Sequence, residues 1–303
     1  MPDFIMPDKP PINPYLAIAA GVIAVSFSSL FVRLSSAPPL ITATYRLLFT
    51  FLLVAPYTLI KHRKELAALK PRETGLAALS GVFLALHFAT WFTSLSYTSI
   101  ASSVVIVTIQ PVFVVIGSWL LFRERISRIS AIGGLLALCG SFIIGAGDFR
   151  LGREAFYGDL LALLAAVFVA GYMIVGRKLR AKVALSAYTF VVYGSSALTL
   201  VIISSCYSLP FAPYPPTDWQ IFLALALVCT VGGHTIFNWV IRYVPASTVA
   251  VCILGESLGA IIWGAIFLKE YPGWRQIIGG GVIFAGLYLF TRGSIHPRGR
   301  DAG

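Results

Sequence analysis

An uncharged run of 49 residues between Glu73 and Arg123 constrains the fold of this chain more than any other feature. The hydrocarbon core of a bilayer is about 30 Å thick, and a helix of about 20 residues crosses it. The run is long enough for two crossings, and the small, hydroxyl-rich residues at 93–103 mark the point where the chain turns back. The sequence therefore predicts an all-α integral membrane protein.

The composition agrees with that prediction and narrows the expected partners. Hydrophobic residues make up 58% of the chain, charged residues 12%, and the mean hydropathy is +0.85, which is far from soluble domains. We expect a small-molecule substrate and membrane lipid as partners, and no nucleic acid. The four cysteines lie singly in or beside apolar runs, so neither a disulfide framework nor a metal site is expected, and no cofactor. No oligomeric state is indicated, and a monomer is compatible with the pattern.

Apolar length read against the charged flanks predicts ten transmembrane helices. The first is expected to be a retained span, because about twenty apolar residues exceed a usual signal core. Four prolines in the segment 209–217 end the seventh. The expected ranges are 14–33, 38–60, 75–96, 99–122, 130–147, 158–176, 184–207, 219–241, 245–268 and 275–292.

The distribution of basic residues predicts the orientation. With a cytoplasmic N-terminus, 17 of the 23 Lys and Arg residues fall on the cytoplasmic side and five on the other, while Arg46 lies within a span. Loops rich in Lys and Arg stay in the cytoplasm. We therefore expect a multi-pass protein of the inner membrane with both termini cytoplasmic, and the net charge of +11 reflects this orientation.

The second half of the chain repeats the first. We expect a cytoplasmic N-terminal segment at 1–13, a first repeat at 14–147, a linker at 148–157, a second repeat at 158–292 and a cytoplasmic C-terminal tail at 293–303. Five spans per repeat is an odd number, so the halves are predicted to be inverted around a central cavity, as in many secondary transporters. At an offset of 146 residues the matches include Tyr97 with Tyr243, Glu124 with Glu270, Gly133 with Gly279, Gly134 with Gly280 and Gly140 with Gly286.

The same offset aligns two polar residues at the midpoints of their spans. Glu256 lies halfway along the ninth span, and its partner Gln110 lies halfway along the fourth. Inserting an ionisable side chain at this depth costs about 2.5 to 3.5 kcal/mol of free energy on insertion scales, so we expect such a residue to have a structural or functional role. We predict that both residues face the cavity; the alternative is a neutral Glu256 that hydrogen-bonds a neighbouring helix.

Arg46 in the second span cannot shed its charge by losing a proton. Its functional interpretation is an anchor for a substrate carboxylate. The alternatives are a structural ion pair and a solvated residue in a vestibule.

Further candidates share helical faces at similar depth. His87 and Trp91 are four residues apart, as are His234 and Asn238, and this spacing places each pair on one face. Either pair lines the cavity or joins helices through hydrogen bonds. Thr90 beside the first pair, and the aromatic residues Tyr172 and Trp263, complete the set of candidate substrate-binding residues.

The stretch from Gln110 to Glu124, QPVFVVIGSWLLFRE, resembles a motif of the bacterial drug/metabolite transporter superfamily, in members built from two EamA-type repeats. The motif has an acid or amide, a proline, an apolar helix and a closing glutamate. The second copy, Glu256 to Glu270, keeps both polar ends but has Ser257 at the proline position, which puts a matching kink in doubt. The resemblance covers residues 14–292, and the chain looks in particular like the aromatic amino-acid exporters of that superfamily.

This resemblance implies ten helices around a central cavity, with the fifth and tenth at the periphery, and export of amino acids and related metabolites. It suggests Glu256 or Gln110 for a substrate ammonium, Trp91 for an aromatic ring, and His87 or Arg46 for a carboxylate. The alternative within transport is efflux of cationic or lipophilic compounds. An intramembrane lipid-modifying enzyme is disfavoured by the lack of a ligand cluster or a nucleophile with a base in the sequence. A membrane scaffold would leave the matched midplane residues without a purpose.

Overall fold

The computed structural model describes residues 10–98, 100–124, 126–145, 152–269 and 271–295, and within them the chain is helical with no strand. A π-helix, Leu225–His234, and a 3-10 turn, Ile253–Gly255, interrupt the α-helical structure. The α-helices are α1 (Pro14–Leu34), α2 (Pro39–Lys61), α3 (Arg63–Ala67), α4 (Pro71–Ser94), α5 (Ile100–Val107), α6 (Gln110–Phe122), α7 (Arg128–Gly145), α8 (Arg153–Arg180), α9 (Leu185–Cys206), α10 (Pro216–Ala224), α11 (Thr235–Val240), α12 (Ala246–Cys252), α13 (Glu256–Leu268) and α14 (Trp274–Ile295).

Eight helical segments of the described chain are long and apolar enough to cross a membrane, and α7 is a shorter apolar helix. The chain is therefore a multi-pass membrane protein. The eight segments are α1, α2, α4, residues 105–122, α8, α9, residues 216–240 and residues 246–268.

Some helices start earlier than their apolar runs. The helix α4 begins at Pro71 rather than at residue 75, because the backbone N–H of Lys70 donates to Glu73 Oε2 at 3.0 Å and so caps a polar first turn. The helix α8 begins at Arg153, inside the expected linker 148–157, and α14 extends to Ile295, past the expected boundary at 292. The rest of that linker up to residue 151, the segment before residue 10 and the tail after 295 lie outside the described residues.

The helix packing of one half recurs in the other. The helix α4 packs against α8 and α9, and in the same way the segment 216–240 packs against α1 and α2. The contact of α6 with α8 is matched by that of α13 with α1. Equivalent helices also pack against each other, α2 with α9 and α7 with α14. The two halves therefore have one architecture, repeated.

Glycines bring α7 and α14 into backbone contact. A Cβ on Gly133 would lie 2.6 Å from the carbonyl oxygen of Gly286, and one on Gly140 would lie 2.6 Å from that of Gly279. The contact partner of the earlier glycine in α7 is the later one in α14, so the two helices run antiparallel. Small residues permit this close approach in membrane helices.

We expect Gly140→Ala to destabilise the protein by about 1 to 3 kcal/mol, because the added methyl group has no room against a rigid backbone. Gly281→Ala is the matched control in the partner helix, since a Cβ there meets nothing within 4 Å. A thermal unfolding midpoint measured in detergent should fall for the first variant and hold or rise for the second. Equal midpoints for both variants would show that this contact does not contribute to stability.

Candidate functional site

A cavity of about 750 Å³ runs from the middle of the bundle to one end. That end carries the C-terminal ends of α1, α4 and α13, because Arg33, Ser96 and Tyr271 belong to the cavity wall. Six of the ten residues predicted from the sequence also line this cavity: Arg46, His87, Trp91, Gln110, His234 and Glu256.

Gln110 and Glu256 reach the cavity at matching breaks in two helices. The chain leaves α5 at Val107 and resumes at Gln110 in α6, whereas the 3-10 turn ends at Gly255 and Glu256 begins α13. Both following helices have 13 residues, and they end in the left-handed region at Arg123 (φ 56°) and Lys269 (φ 60°). These features differ by the same 146 residues, so the two midplane side chains occupy equivalent places.

The break in the ninth predicted span does not depend on proline. Ser257 stands where Pro111 follows Gln110, and the 3-10 turn forms nevertheless at the equivalent position. The doubt raised by the missing proline was therefore wrong. The preceding Gly255 has weak helix propensity, which favours a local change in helical pitch.

Arg46 is held by hydroxyl groups. Its guanidinium, 1% exposed, donates from Nε to Thr230 Oγ1 at 2.9 Å and from Nη1 to Ser28 Oγ at 2.8 Å. Its Cζ lies 4.3 Å from the ring centroid of Phe88. No carboxylate among the described residues forms an ion pair with it, and its Nη2 makes no hydrogen bond there. A buried cation held only by neutral groups on a cavity wall is suited to bind an anion.

The π-helix places Thr230 for this contact. In the wide turns of this helix, Thr230 Oγ1 donates to the carbonyl of Leu225 at 3.2 Å, and Thr235 Oγ1 donates to the carbonyl of Thr230 at 3.2 Å. The last residue of the π-helix is His234, which lines the cavity. Segments of π-helix are rare in proteins, and those that do occur are often found at functional sites.

Glu256 is the acidic group of the cavity. The residue is partly buried, lines the cavity, and has neither a hydrogen bond nor an ion pair with any described residue. The described cavity lining thus contains one acidic side chain, Glu256, and two basic ones, the buried Arg46 and Arg33 near the open end, and no ion pair joins Glu256 to Arg46.

His87 and Trp91 form an aromatic wall. Their rings stack with centroids 5.7 Å apart and planes at 23°, and His87 Nδ1 lies 3.0 Å from the carbonyl oxygen of Ala165 in α8. Trp91 Nε1 is buried with no hydrogen-bond partner among the described residues. The polar side-chain atoms of this wall are the three ring nitrogens, of which His87 Nδ1 is hydrogen-bonded to Ala165.

Four predicted residues do not line the large cavity. The hydroxyl of Thr90 donates to the carbonyl of Leu86 at 2.7 Å. Tyr172 donates to Asn238 Oδ1 at 2.9 Å, and both line a small void that adjoins the cavity at His234. Trp263 donates to Ser26 Oγ at 2.8 Å and stacks on Phe27. Thr90 thus bonds within its own helix, and the other three side chains join helices around the cavity.

Three residues that hold Arg46 were missed in the sequence: Ser28, Thr230 and Phe88. Ser28 lies in a run of three serines around Phe27, and Thr230 precedes the pair Gly232 and Gly233. Hydroxyls beside small residues in a span are a signal for such a site, but common residue types make that signal weak.

The opposite end of the bundle is closed by the Arg177 cluster, which comprises Arg177, Glu124 and the carbonyls of Ile241 and Arg242. Arg177 Nε donates to Glu124 Oε1 at 3.1 Å, and Nη1 donates to the carbonyl of Ile241 at 2.7 Å and that of Arg242 at 3.3 Å. These bonds join α8 to residues after α6 and α11. Arg177 is 9% exposed, whereas Arg33, which matches it at an offset of 144 residues near the end of the first helix of the other repeat, is exposed on the cavity wall.

Helices that span a membrane around a cavity, with two copies of one architecture, are typical of a membrane transporter. The EamA-like transporter family matches residues 13–146 and 156–292, so the chain belongs to this family. The two matched ranges are the two structural halves.

Similar proteins carry transporter names. An uncharacterized transporter of Archaeoglobus fulgidus is 26% identical over 287 residues, which are 91% of this chain and 96% of the relative. The pseudopaline exporter CntI of Pseudomonas aeruginosa is 27% identical over 233 residues, or 76% of this chain and 79% of the relative. One solved crystal structure superimposes with a TM-score of 0.77 at 17% identity, covering 93% of this chain and 97% of the other, and shows the same fold.

Proposed function

We propose that this protein is a secondary transporter that exports aromatic or related amino acids and small metabolites across the inner membrane by alternating access. The observation that carries this proposal is the cavity shared by Arg46 and Glu256, two opposite charges without an ion pair between them. An amino acid carries both complementary charges. Arg46 binds the carboxylate, Glu256 with Gln110 binds the ammonium group, and Trp91 forms a flat wall for an aromatic side chain.

Alternating access in this proposal uses ten transmembrane helices in two inverted five-helix repeats. The antiparallel contact of the equivalent helices α7 and α14 supports the inversion. Because the halves are equivalent, each end of the bundle can adopt the conformation of the other. Arg177, buried at the closed end, and Arg33, exposed at the open end, represent the closed and the open conformation of one position in the repeat.

The proposed orientation follows from the basic residues. Both termini are cytoplasmic, so the Arg177 cluster closes the cytoplasmic end and the cavity extends to the opposite face. Substrate enters from the cytoplasm after that cluster opens. Export agrees with the name of the similar Pseudomonas aeruginosa protein, the pseudopaline exporter CntI. Membrane lipid surrounds the helices.

The test uses purified protein in proteoliposomes that are loaded with radiolabelled phenylalanine. We expect efflux well above protein-free liposomes, inhibition by unlabelled phenylalanine, and strong impairment by Glu256→Gln. A correctly inserted protein that moves no amino acid would contradict the proposal. Efflux with and without a pH gradient determines whether protons are coupled to transport.

Efflux of cationic or lipophilic compounds is the second candidate, and the combination of Glu256 with Trp91 favours it, since both attract cations. Arg46 in the same cavity opposes it, because a cationic substrate would be repelled there. Tetraphenylphosphonium separates the two candidates. Transport of this cation without competition by phenylalanine would replace the amino-acid assignment.

A further inference from the structure

The hydrogen bond to Ala165 fixes which nitrogen of His87 carries a proton. A carbonyl oxygen only accepts, so Nδ1, at 3.0 Å, is the donor. The ring is 5% exposed and is held in place by the stacked ring of Trp91. Of its two nitrogens, Nε2 is therefore the one left for a ligand in the cavity.

His87 Nε2 offers a lone pair to the cavity. It makes no hydrogen bond within the described part of the chain, and the ring lines the cavity wall. A second proton on this ring would add a positive charge close to Arg46, because the Phe88 ring touches both residues, with its centroid 4.9 Å from that of His87 and 4.3 Å from Arg46 Cζ. Two cations in an apolar wall repel each other strongly, so the neutral ring is favoured.

The cavity thus presents a cationic donor and a neutral acceptor that both adjoin the Phe88 ring. An α-amino acid has the complementary arrangement, since its carboxylate and its ammonium group are attached to the same carbon atom. We infer that His87 Nε2 accepts a hydrogen bond from the α-ammonium group while Arg46 binds the carboxylate, so that His87 selects α-amino acids over acids without an amino group. This inference rests on the proposed function, and it gives His87 the opposite role to the carboxylate contact expected from the sequence.

Two substitutions separate this role from a structural one. His87→Asn keeps a side-chain N–H at the position that bonds Ala165 and removes the acceptor at the ε position. His87→Gln keeps an oxygen acceptor near the ε position and loses the geometry for Ala165. A structural role would tolerate the asparagine better, whereas a role in selectivity would tolerate the glutamine better.

The experiment measures inhibition of radiolabelled phenylalanine transport by unlabelled phenylalanine and by 3-phenylpropionate, which lacks the amino group. In the wild type, phenylalanine should inhibit more strongly. We expect His87→Asn to lower that preference about tenfold, the effect of losing one charge-assisted hydrogen bond, and His87→Gln to retain most of it. The inhibition by 3-phenylpropionate should change little in either variant.

The outcomes distinguish this inference from the proposed function. If the wild type does not transport phenylalanine, the proposed function fails and the inference fails with it. If the wild type transports phenylalanine but His87→Asn keeps the full preference, or weakens both inhibitors equally, only the role of His87 is overturned. Retained preference in His87→Gln together with its loss in His87→Asn supports the inference.

Discussion

Replacing Arg46 with methionine should reduce transport of amino acids at least about 100-fold and leave the protein as stable as the wild type or more stable. The loss follows because the substrate carboxylate would be buried without a partner, which costs about 3 kcal/mol. Stability should not fall, because a buried cation with no carboxylate partner pays a large desolvation cost that methionine avoids. Thr230 keeps its bond to the carbonyl of Leu225, and Ser28 faces the cavity. Efflux from proteoliposomes and thermal midpoints measure the two effects.

Arg180→Met is the matched control for this substitution. Arg180 is equally buried, at 2% exposed, but its guanidinium donates to the backbone carbonyls of Asn238 and Val183 and does not line the cavity. Its loss leaves buried carbonyls unpaired, so the thermal midpoint should fall. If Arg46→Met were the variant with the lower midpoint and it retained transport, Arg46 would be a structural residue.

Arg177→Gln should open the closed end of the bundle. The substitution removes the charge that joins α8 to Glu124 and weakens the bonds to the carbonyls of Ile241 and Arg242. Breaking a mostly buried ion pair of this kind shifts the balance between conformations by about 2 kcal/mol, or about 30-fold. The variant should therefore spend much more time with its cytoplasmic end open, and Glu124→Gln should have a smaller effect in the same direction.

Cysteine labelling measures that shift. In a background without the four native cysteines, Met173→Cys places a thiol one turn before Arg177, at a residue that is buried and lines the small void. Its modification by a membrane-impermeant reagent from the cytoplasmic side should be at least tenfold faster when Arg177→Gln is also present. Ser29→Cys, on the wall of the large cavity, is the control for the other end and should label more slowly in that variant. An unchanged rate at position 173 would show that the Arg177 cluster does not hold this end closed.

Hydropathy predicted where helices lie, but it missed where they are irregular. The span predicted at 99–122 breaks between α5 and α6, and the span at 219–241 contains a π-helix. Both irregularities depend on local hydrogen bonding, to which average hydropathy does not respond. Polar first turns were missed for a related reason, since α4 begins with the cap between Lys70 and Glu73. The closing glutamate of the second motif, Glu270, lies outside the described residues.

The candidate site was predictable where ionisable or aromatic residues occur at membrane depth. The free-energy cost of placing an ionisable side chain inside the membrane singles out Arg46 and Glu256, and both line the cavity. The depth of a residue in the membrane does not reveal which way its side chain points. Trp263 was therefore among the predicted substrate-binding residues, although it donates a hydrogen bond to Ser26 in a contact between helices. The role of His87 required the position of Ala165, which lies 78 residues away along the chain.

The most direct test of the central claim is equilibrium binding of three ligands to the purified wild type and to Arg46→Met. Phenylalanine carries both charges, phenethylamine only the ammonium group, and 3-phenylpropionate only the carboxylate. The wild type should bind phenylalanine at least tenfold more tightly than either singly charged ligand, and Arg46→Met should bind phenylalanine no more tightly than phenethylamine. Equal affinity of the wild type for all three ligands would contradict a cavity in which Arg46 and Glu256 bind the two oppositely charged groups of one substrate.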